Sequence, residues 1–408
     1  MNAPRPPLQS LDDALAELLR HAEPPLVAEQ VSTFDADGRV LAEDLVSALQ
    51  VPPQDNSAMD GYAVRVADAK AGAELAVSQR IPAGSSGTPL AAGTAARIFT
   101  GAPVPAGADA IVMQEDCTPV ADGVVRIGRA PALGQWIRRA GEDVTRGAIV
   151  LAKGERLGPA GVGLAAGIGL AWLPVARQPR VGLFSTGDEL VMPGEVPPQD
   201  MRPGAIYNSN RFFLRRLLAR LGCEVNDLGI VPDTRAATLA ALERASASND
   251  LILTSGGVSV GEEDHIRPAV QQLGTLDLWS IAIKPGKPFA YGRVGAAHFI
   301  GLPGNPVSSF VTFLLLVRPF LLKLQGAAQL ATRPVAMRAH FDWPRADKRR
   351  EFMRVRRNEQ GGLDLFANQS SGVLTSMVWG DGVVDNPPGQ AIKAGDTVQF
   401  IPFAELLA

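Results

Sequence analysis

The segment Thr254 to Pro268 reads TSGGVSVGEEDHIRP and sets two adjacent glycines, small hydroxyl side chains and three consecutive acids into one turn. Gly256 and Gly257 let a ligand approach the backbone closely, and successive N–H groups in such a turn can form an anion nest. The helix expected from His265 adds a positive dipole end. Glu262, Glu263 and Asp264 would repel the same anion, and three acids exceed what a helix start needs to satisfy its dipole. A divalent cation held between acids and anion reconciles the two.

Three other loops carry comparable residues: STGDEL (185–190), KPGKP (284–288) and LPGNPVSS (302–309). Asp188 and Glu189 offer hard oxygens suited to Mg²⁺, which takes one or two carboxylates together with phosphate and water. Lys284 and Lys287 flank Pro285-Gly286, and the surrounding prolines restrict the turn so that both ammonium groups can address one polyanion. Two solvated lysines in a hairpin are the plainer alternative. Asn305 and Ser308 stand at the start of an apolar helix; capping accounts fully for Asn305 and less well for Ser308.

These loops need a scaffold that brings them together. From Pro179 onward strands and helices alternate. VGLFST, EVNDLGIV and DLILTS read as strands, and LWSIAIKPGKP and HFIGLPGNP as further ones. Helices are expected after Asn208-Ser209-Asn210, over TRAATLAALERAS, over HIRPAVQQL and, long and apolar, from Pro306 to Leu324. Such alternation predicts a doubly wound, mostly parallel sheet with right-handed crossovers. Its ligands sit outside the carboxyl ends of the strands, where all four loops fall. Ser10 with Asp13 resembles a capping box, and Leu11, Leu15, Leu18 and Leu19 then share one helical face. Residues 51–150 and the C-terminal part are short apolar runs cut by Gly and Pro, which predicts β domains.

Composition bounds the function. A chain of 408 residues implies two to four domains. A net charge of −3 disfavours a nucleic-acid binder. Two cysteines, Cys117 and Cys223, exclude a disulfide scaffold and suit a reducing, cytoplasmic setting. The N-terminal segment lacks the basic-then-apolar order of a signal peptide. Leu157 to Ala176 carries no charge, but its glycines and prolines point to a buried helix followed by a strand, not to a membrane span. The four histidines are too scattered for a zinc signature.

Other charged segments have plain readings. QDNSAMDGYAV (54–64) groups Asp55, Asn56, Ser57 and Asp60 beside Tyr62 and fits a turn between domains. RADKRREFMRVRR (345–357) alternates around Arg354 and fits one solvated strand face, although a cationic patch could also hold an oxyanion.

With the loops placed, the chain resembles the molybdopterin molybdenumtransferase family, which includes bacterial MoeA and the C-terminal domain of gephyrin. The resemblance rests on PPQDNSAMDGYAV, TGAPVPAGADAIVMQE, RRAGEDV, PRVGLFSTGDEL, TSGGVSVGEEDH, IKPGKPFAYG and GLPGNPVSSF, in family order. RREF and NQSSGVLTSM match more loosely. The resemblance implies an α/β multidomain chain. Its helix over 1–26 would pack on a molybdopterin-binding-like α/β domain at 177–326. A connecting domain would be formed by 27–50 and 145–176, an inserted β domain by 51–144, and a C-terminal β-barrel-like domain by 327–408.

The same resemblance implies molybdate transfer to adenylylated molybdopterin, with Mg²⁺-dependent release of AMP. It also implies a homodimer in which the insert completes the neighbour's site. The adenylyltransferase and cofactor-accepting enzymes are implied as protein contacts, with neither nucleic acid nor membrane. It places Asp264 and Ser259 at adenylate cleavage, and Glu189 and Asp188 with Asp264 at the metal. Asp60, Thr100 and Asp143 fall on the insert side. Gly256, Gly257, Lys284, Lys287, Asn305, Ser308 and Asp233 would line the ligand cleft, and Arg349 and Ser371 would close over the oxyanion. A molybdopterin adenylyltransferase and a gephyrin-like scaffold are the rival readings.

Overall fold

The computed structural model describes residues 8–23, 25–257 and 265–407. At its centre lies a six-stranded sheet in the order Glu224–Val231, Arg180–Thr186, Leu251–Ser255, Ala297–Leu302, Pro288–Val294, Gly274–Ser280. The first four strands are parallel, and Pro288–Val294 runs against both of its neighbours. Leu251–Ser255 and Ala297–Leu302 are buried at every residue, as expected of strands covered on both faces.

The alternation of side chains along each strand divides the core in two. Val181, Leu183, Leu251 and Leu253 face the helices Asn210–Arg220 and Pro306–Leu324. Phe184, Ile252 and Phe299 face Arg235–Ser246 and Ile266–Leu273. The N-terminal helix Leu11–Arg20 buries Leu11, Ala14 and Leu18 against the first group. Ser10 caps it: Ser10 Oγ accepts from Asp13 N at 3.1 Å and donates to Asp13 Oδ2 at 2.6 Å.

The long apolar helix expected from Pro306 to Leu324 is present, with a π-helical turn over Phe313–Val317 between Pro306–Thr312 and Arg318–Leu324. Pro319 has no N–H to donate and its ring crowds the carbonyl one turn earlier, so the preceding turn widens. It is the one described helix long and apolar enough to cross a bilayer, and it is a buried core helix. Leu157 to Ala176 does give a helix, Pro159–Gly167, and a strand, Trp172–Ala176, but only Ala165 of that helix is buried. The small connecting unit covers one side of it: Ala165 joins the core, Val162 and Leu164 lie partly buried against that core, and Gly163, Ala166 and Gly167 are exposed. Finally, LWSIAIKPGKP is two strands: Gly274–Ser280 ends the central sheet, and Ile283–Lys284 pairs in parallel with Arg350–Arg357 of the C-terminal domain.

That C-terminal domain is a closed ring of five strands. Arg350–Arg357, Gly362–Leu365, Val335–Ala339, Thr397–Pro402 and Gly382–Asn386 follow one another, and the last pairs back to the first. The solvated-face reading of RADKRREFMRVRR fails at Arg354: Met353 and Val355 point into the barrel core, and the opposite face, which carries Phe352 and Arg354, is covered by the 370–376 segment and the α/β unit. Arg354 is 1% exposed and donates to Ser376 Oγ, Phe352 O and Ser370 O. The inserted β unit forms a separate six-stranded sheet that runs from Cys117–Ala121 at one edge to Ala110–Met113 at the other.

Candidate active site at the carboxyl edge of the sheet

Thr186, Ser255, Leu302 and Ser280 end their strands on one edge of the central sheet. Parallel pairing dictates this, because strands aligned in direction finish together. The loop after Ser280 joins them because Gly274–Ser280, antiparallel to Pro288–Val294, regains the direction of the parallel set. A cavity of about 570 Å³ opens at this edge, with Glu189, Asn208, Ser255, Gly256, Asn305 and Ser308 in its wall.

Asn210 fixes the floor. Its Nδ2 donates to Ser255 Oγ at 2.9 Å and to Gly304 O at 2.7 Å, tying one strand end to the next loop. Gly256 has φ +95°, and a Cβ there would stand 3.1 Å from Thr186 O, so the backbone reaches the neighbouring strand only as glycine. Asn208, 2% exposed, caps the helix through Oδ1, which accepts from Arg211 N at 3.2 Å. Its Nδ2 is buried with no partner among the described residues. An unmatched buried amide costs about 1–3 kcal/mol, and such donors mark positions where a ligand supplies the acceptor.

Asp188 Oδ1 accepts from Asp233 N at 3.4 Å, which brings two expected residues together beside Glu189. Among the described residues no group of three His, Cys, Asp or Glu side chains forms a metal cage. The pair Asp188 and Glu189 nonetheless fits Mg²⁺, which needs only one or two carboxylates when phosphate and water complete its shell. Asp264, Ser259, Glu262 and Glu263 lie outside the described residues. Gly257, at φ +65°, leads into that segment with no room for a Cβ beside Ile266.

The lysine loop is not the pair of free cations that the spacing suggests. Lys284 Nζ lies 3.0 Å from Glu351 Oε1 and 3.4 Å from Asp347 Oδ2, and 5.8 Å from the centre of the Trp343 ring. Lys287 makes no ion pair among the described residues, and its carbonyl closes the turn by accepting from Ile281 N at 2.8 Å. Gly286, at φ +115°, lets the loop rest on the cavity helix, since a Cβ would fall 2.4 Å from Thr312 Oγ1.

The C-terminal domain reaches the same cavity. Ser371 O accepts from Val307 N at 2.9 Å, and Gly372 lines the wall. This corrects the reading of Asn305, whose side chain makes no capping hydrogen bond: the Ser371 carbonyl takes the helix N–H instead. Arg349 pairs with Asp347 at 2.9 Å.

On the insert, Asp60 Oδ1 accepts from Thr100 N and from Thr100 Oγ1, both at 2.8 Å. The backbone N–H of Thr100, then its hydroxyl, hold this carboxyl below the usual carboxylate range. Asp55 is lowered in the same way by the Ala140 N–H, with Arg139 adding. Asp143 is exposed, and its N–H donates to Val51 O at 2.9 Å. None of Asp60, Thr100 and Asp143 belongs to the wall of this chain's cavity.

Comparison with known proteins decides the family. Residues 9–169 match the MoeA N-terminal region (domain I and II), 182–323 the probable molybdopterin binding domain, and 336–403 the MoeA C-terminal region (domain IV). A molybdopterin molybdenumtransferase of Haemophilus influenzae is 41% identical, over 98% of this chain and 99% of that protein. This chain belongs to the molybdopterin molybdenumtransferase family.

A molybdenumtransferase of Synechococcus elongatus is 37% identical over 92% of this chain and 94% of that protein. Among solved structures, a molybdopterin biosynthesis MoeA protein of Pyrococcus horikoshii OT3 superposes with a TM-score of 0.82 at 30% identity. It covers 97% of this chain and 100% of that one. Within this molybdenumtransferase scaffold, sequence reasoning missed Asn208 and Asn210 as wall and floor. The signal was present: three consecutive polar residues, Asn-Ser-Asn, stand where the helix Asn210–Arg220 begins, and its start needs only one cap.

Proposed function

We propose that this chain transfers molybdenum from molybdate to adenylylated molybdopterin, with Mg²⁺-dependent release of AMP. The observation that carries the reading is the cavity at the sheet edge. It combines neutral donors with a carboxylate, Glu189, in a chain matched along nearly its whole length by molybdenumtransferases.

Cleaving an adenylate anhydride asks for positioning and charge neutralisation more than for a protein nucleophile. Asn208 Nδ2 and the Ser255 and Ser308 hydroxyls serve as donors that orient the pterin and phosphate. Glu189 and Asp188 would hold Mg²⁺, with Asp264 beside Ser259 at the scissile bond. Mg²⁺, when bound, supplies Lewis-acid neutralisation of phosphate charge. Lys284, Lys287, Arg349 and Ser371 would hold molybdate, a tetrahedral dianion whose contacts resemble those of sulfate; tungstate fits the same donors.

We further infer a cytoplasmic homodimer. Phe34 is 96% exposed and Trp172 62% exposed beside the uncovered helix Pro159–Gly167, an apolar surface larger than isolated side chains explain. Asp60, Thr100 and Asp143, absent from this chain's cavity wall, would serve the partner's cleft. Light scattering at micromolar concentration should give twice the chain mass; a monomer there removes the dimer.

Incubating the protein with adenylylated molybdopterin, Mg²⁺ and molybdate, while following AMP, tests the activity. Molybdate-dependent AMP release supports insertion. Consumption of ATP with free molybdopterin would assign adenylyltransfer instead, and no turnover with either would leave a scaffold.

A further inference from the structure

Asp347 stands between two of the cations assigned to the oxyanion. Its Oδ2 is 2.9 Å from the Arg349 guanidinium and 3.4 Å from Lys284 Nζ, so one carboxylate bridges the barrel and the lysine loop. Its Oδ1 accepts from Arg349 N and Nε, both at 3.0 Å. Glu351, fixed by the Trp343 indole at 2.9 Å, takes the other side of Lys284. Two positive and two negative side chains leave this cluster without net charge. A dianion approaching it gains little attraction until one carboxylate withdraws. Glu351 is buried on a barrel strand, whereas Asp347 lies ahead of that strand and is only partly buried.

We propose that Asp347 is a built-in competitor for the oxyanion, holding Lys284 and Arg349 in place and yielding them when molybdate binds. This rests on the reading that Lys284 and Arg349 hold molybdate. A tethered carboxylate acts at high effective concentration, so chloride and other monoanions displace it poorly. A tetrahedral dianion brings a second charge and more acceptor oxygens to the same two cations, and can displace it. Asp347 therefore lowers affinity for every anion and favours dianions among them.

The test is equilibrium binding of sodium molybdate to the full chain at fixed ionic strength, by calorimetry. Asp347→Asn keeps an oxygen for the Arg349 N–H groups and removes the charge. It should bind molybdate roughly fivefold more tightly, the upper end of what one partly exposed ion pair is worth. Molybdate binding should also become more sensitive to added chloride. Asp347→Glu should stay near wild type.

Asp347→Asn binding equally or more weakly than wild type overturns the proposal, because the carboxylate would then organise the cations without competing. Asp347→Ser serves as a second neutral variant under the same criterion if the amide disturbs the turn. Arg349→Gln and Lys284→Met separate the two levels. If they weaken molybdate binding while Asp347→Asn leaves it unchanged, the competitor fails and the site reading stands. If they leave it unchanged, the site reading falls and the competitor with it.

Discussion

Lys284, from the α/β unit, and Glu351, from the barrel, form an ion pair at 3.0 Å in which the carboxylate is 2% exposed. Backbone pairing of Ile283–Lys284 with Arg350–Arg357 runs alongside it, so side chains and main chain join the same two units. Removing the lysine takes the ion-pair partner from a buried carboxylate and leaves it the hydrogen bond from the Trp343 indole. Lys284→Met is expected to lower stability by about 1–3 kcal/mol, and Lys284→Met with Glu351→Gln by less than the sum of the two. Denaturant unfolding of the four proteins in the cycle checks this; additivity would show that the pair is not coupled.

Asp347 gives the same junction a pH dependence. Its carboxyl is held well below the usual range, first by the Arg349 side chain, with the Arg349 N–H and Lys284 adding and burial opposing. A depressed folded-state pKa means stability that is complete above the unfolded value, about 4, and is lost as pH falls below it. The gap between the wild-type and Asp347→Asn denaturation midpoints should be full at neutral pH and shrink on acidification past that value. A gap that is constant or widens in acid contradicts the assignment.

The two asparagines at the cavity should separate binding from folding. Asn210→Ala leaves Ser255 Oγ and Gly304 O without their donor and should destabilise by about 1–2 kcal/mol. Asn208→Ser keeps a capping oxygen but loses the unpartnered Nδ2. Its melting temperature should hold while affinity for the pterin substrate falls roughly tenfold. Equal effects of the two variants on stability would remove the ligand role of Asn208.

Gly286 sets the distance between the lysine loop and the cavity helix. Gly286→Ala meets both a positive φ and the Thr312 hydroxyl, and should cost about 2 kcal/mol while weakening molybdate binding. Thermal melts with oxyanion titration measure both, and a variant that is stable and binds normally would show the turn to be tolerant.

Much of the sheet was legible because DLILTS and VGLFST are unbroken apolar runs, which only fully covered strands need. The edge loops followed from strand direction alone. Pro288–Val294 was not legible as a strand: its pairing partners are set by the whole sheet, and a prolyl start argues locally for a turn. Arg354 was misread for a related reason. Alternation says which residues share a face but not what another segment lays over it: Arg354 points away from Met353 and Val355 of the barrel core, and residues 370–376 cover it. Lys284 looked free because its carboxylates lie more than sixty residues away in sequence. Asn305 looked spent on a cap that Ser371, from another domain, supplies.

The most direct test of the cavity as the reaction site is molybdate-dependent AMP release by wild type and Glu189→Gln at saturating adenylylated molybdopterin. Removing Glu189, the one acid in the cavity wall among the described residues, should cut turnover by about 100-fold or more while the substrate still binds and the fold is unchanged. Near-wild-type turnover by Glu189→Gln would place the chemistry elsewhere.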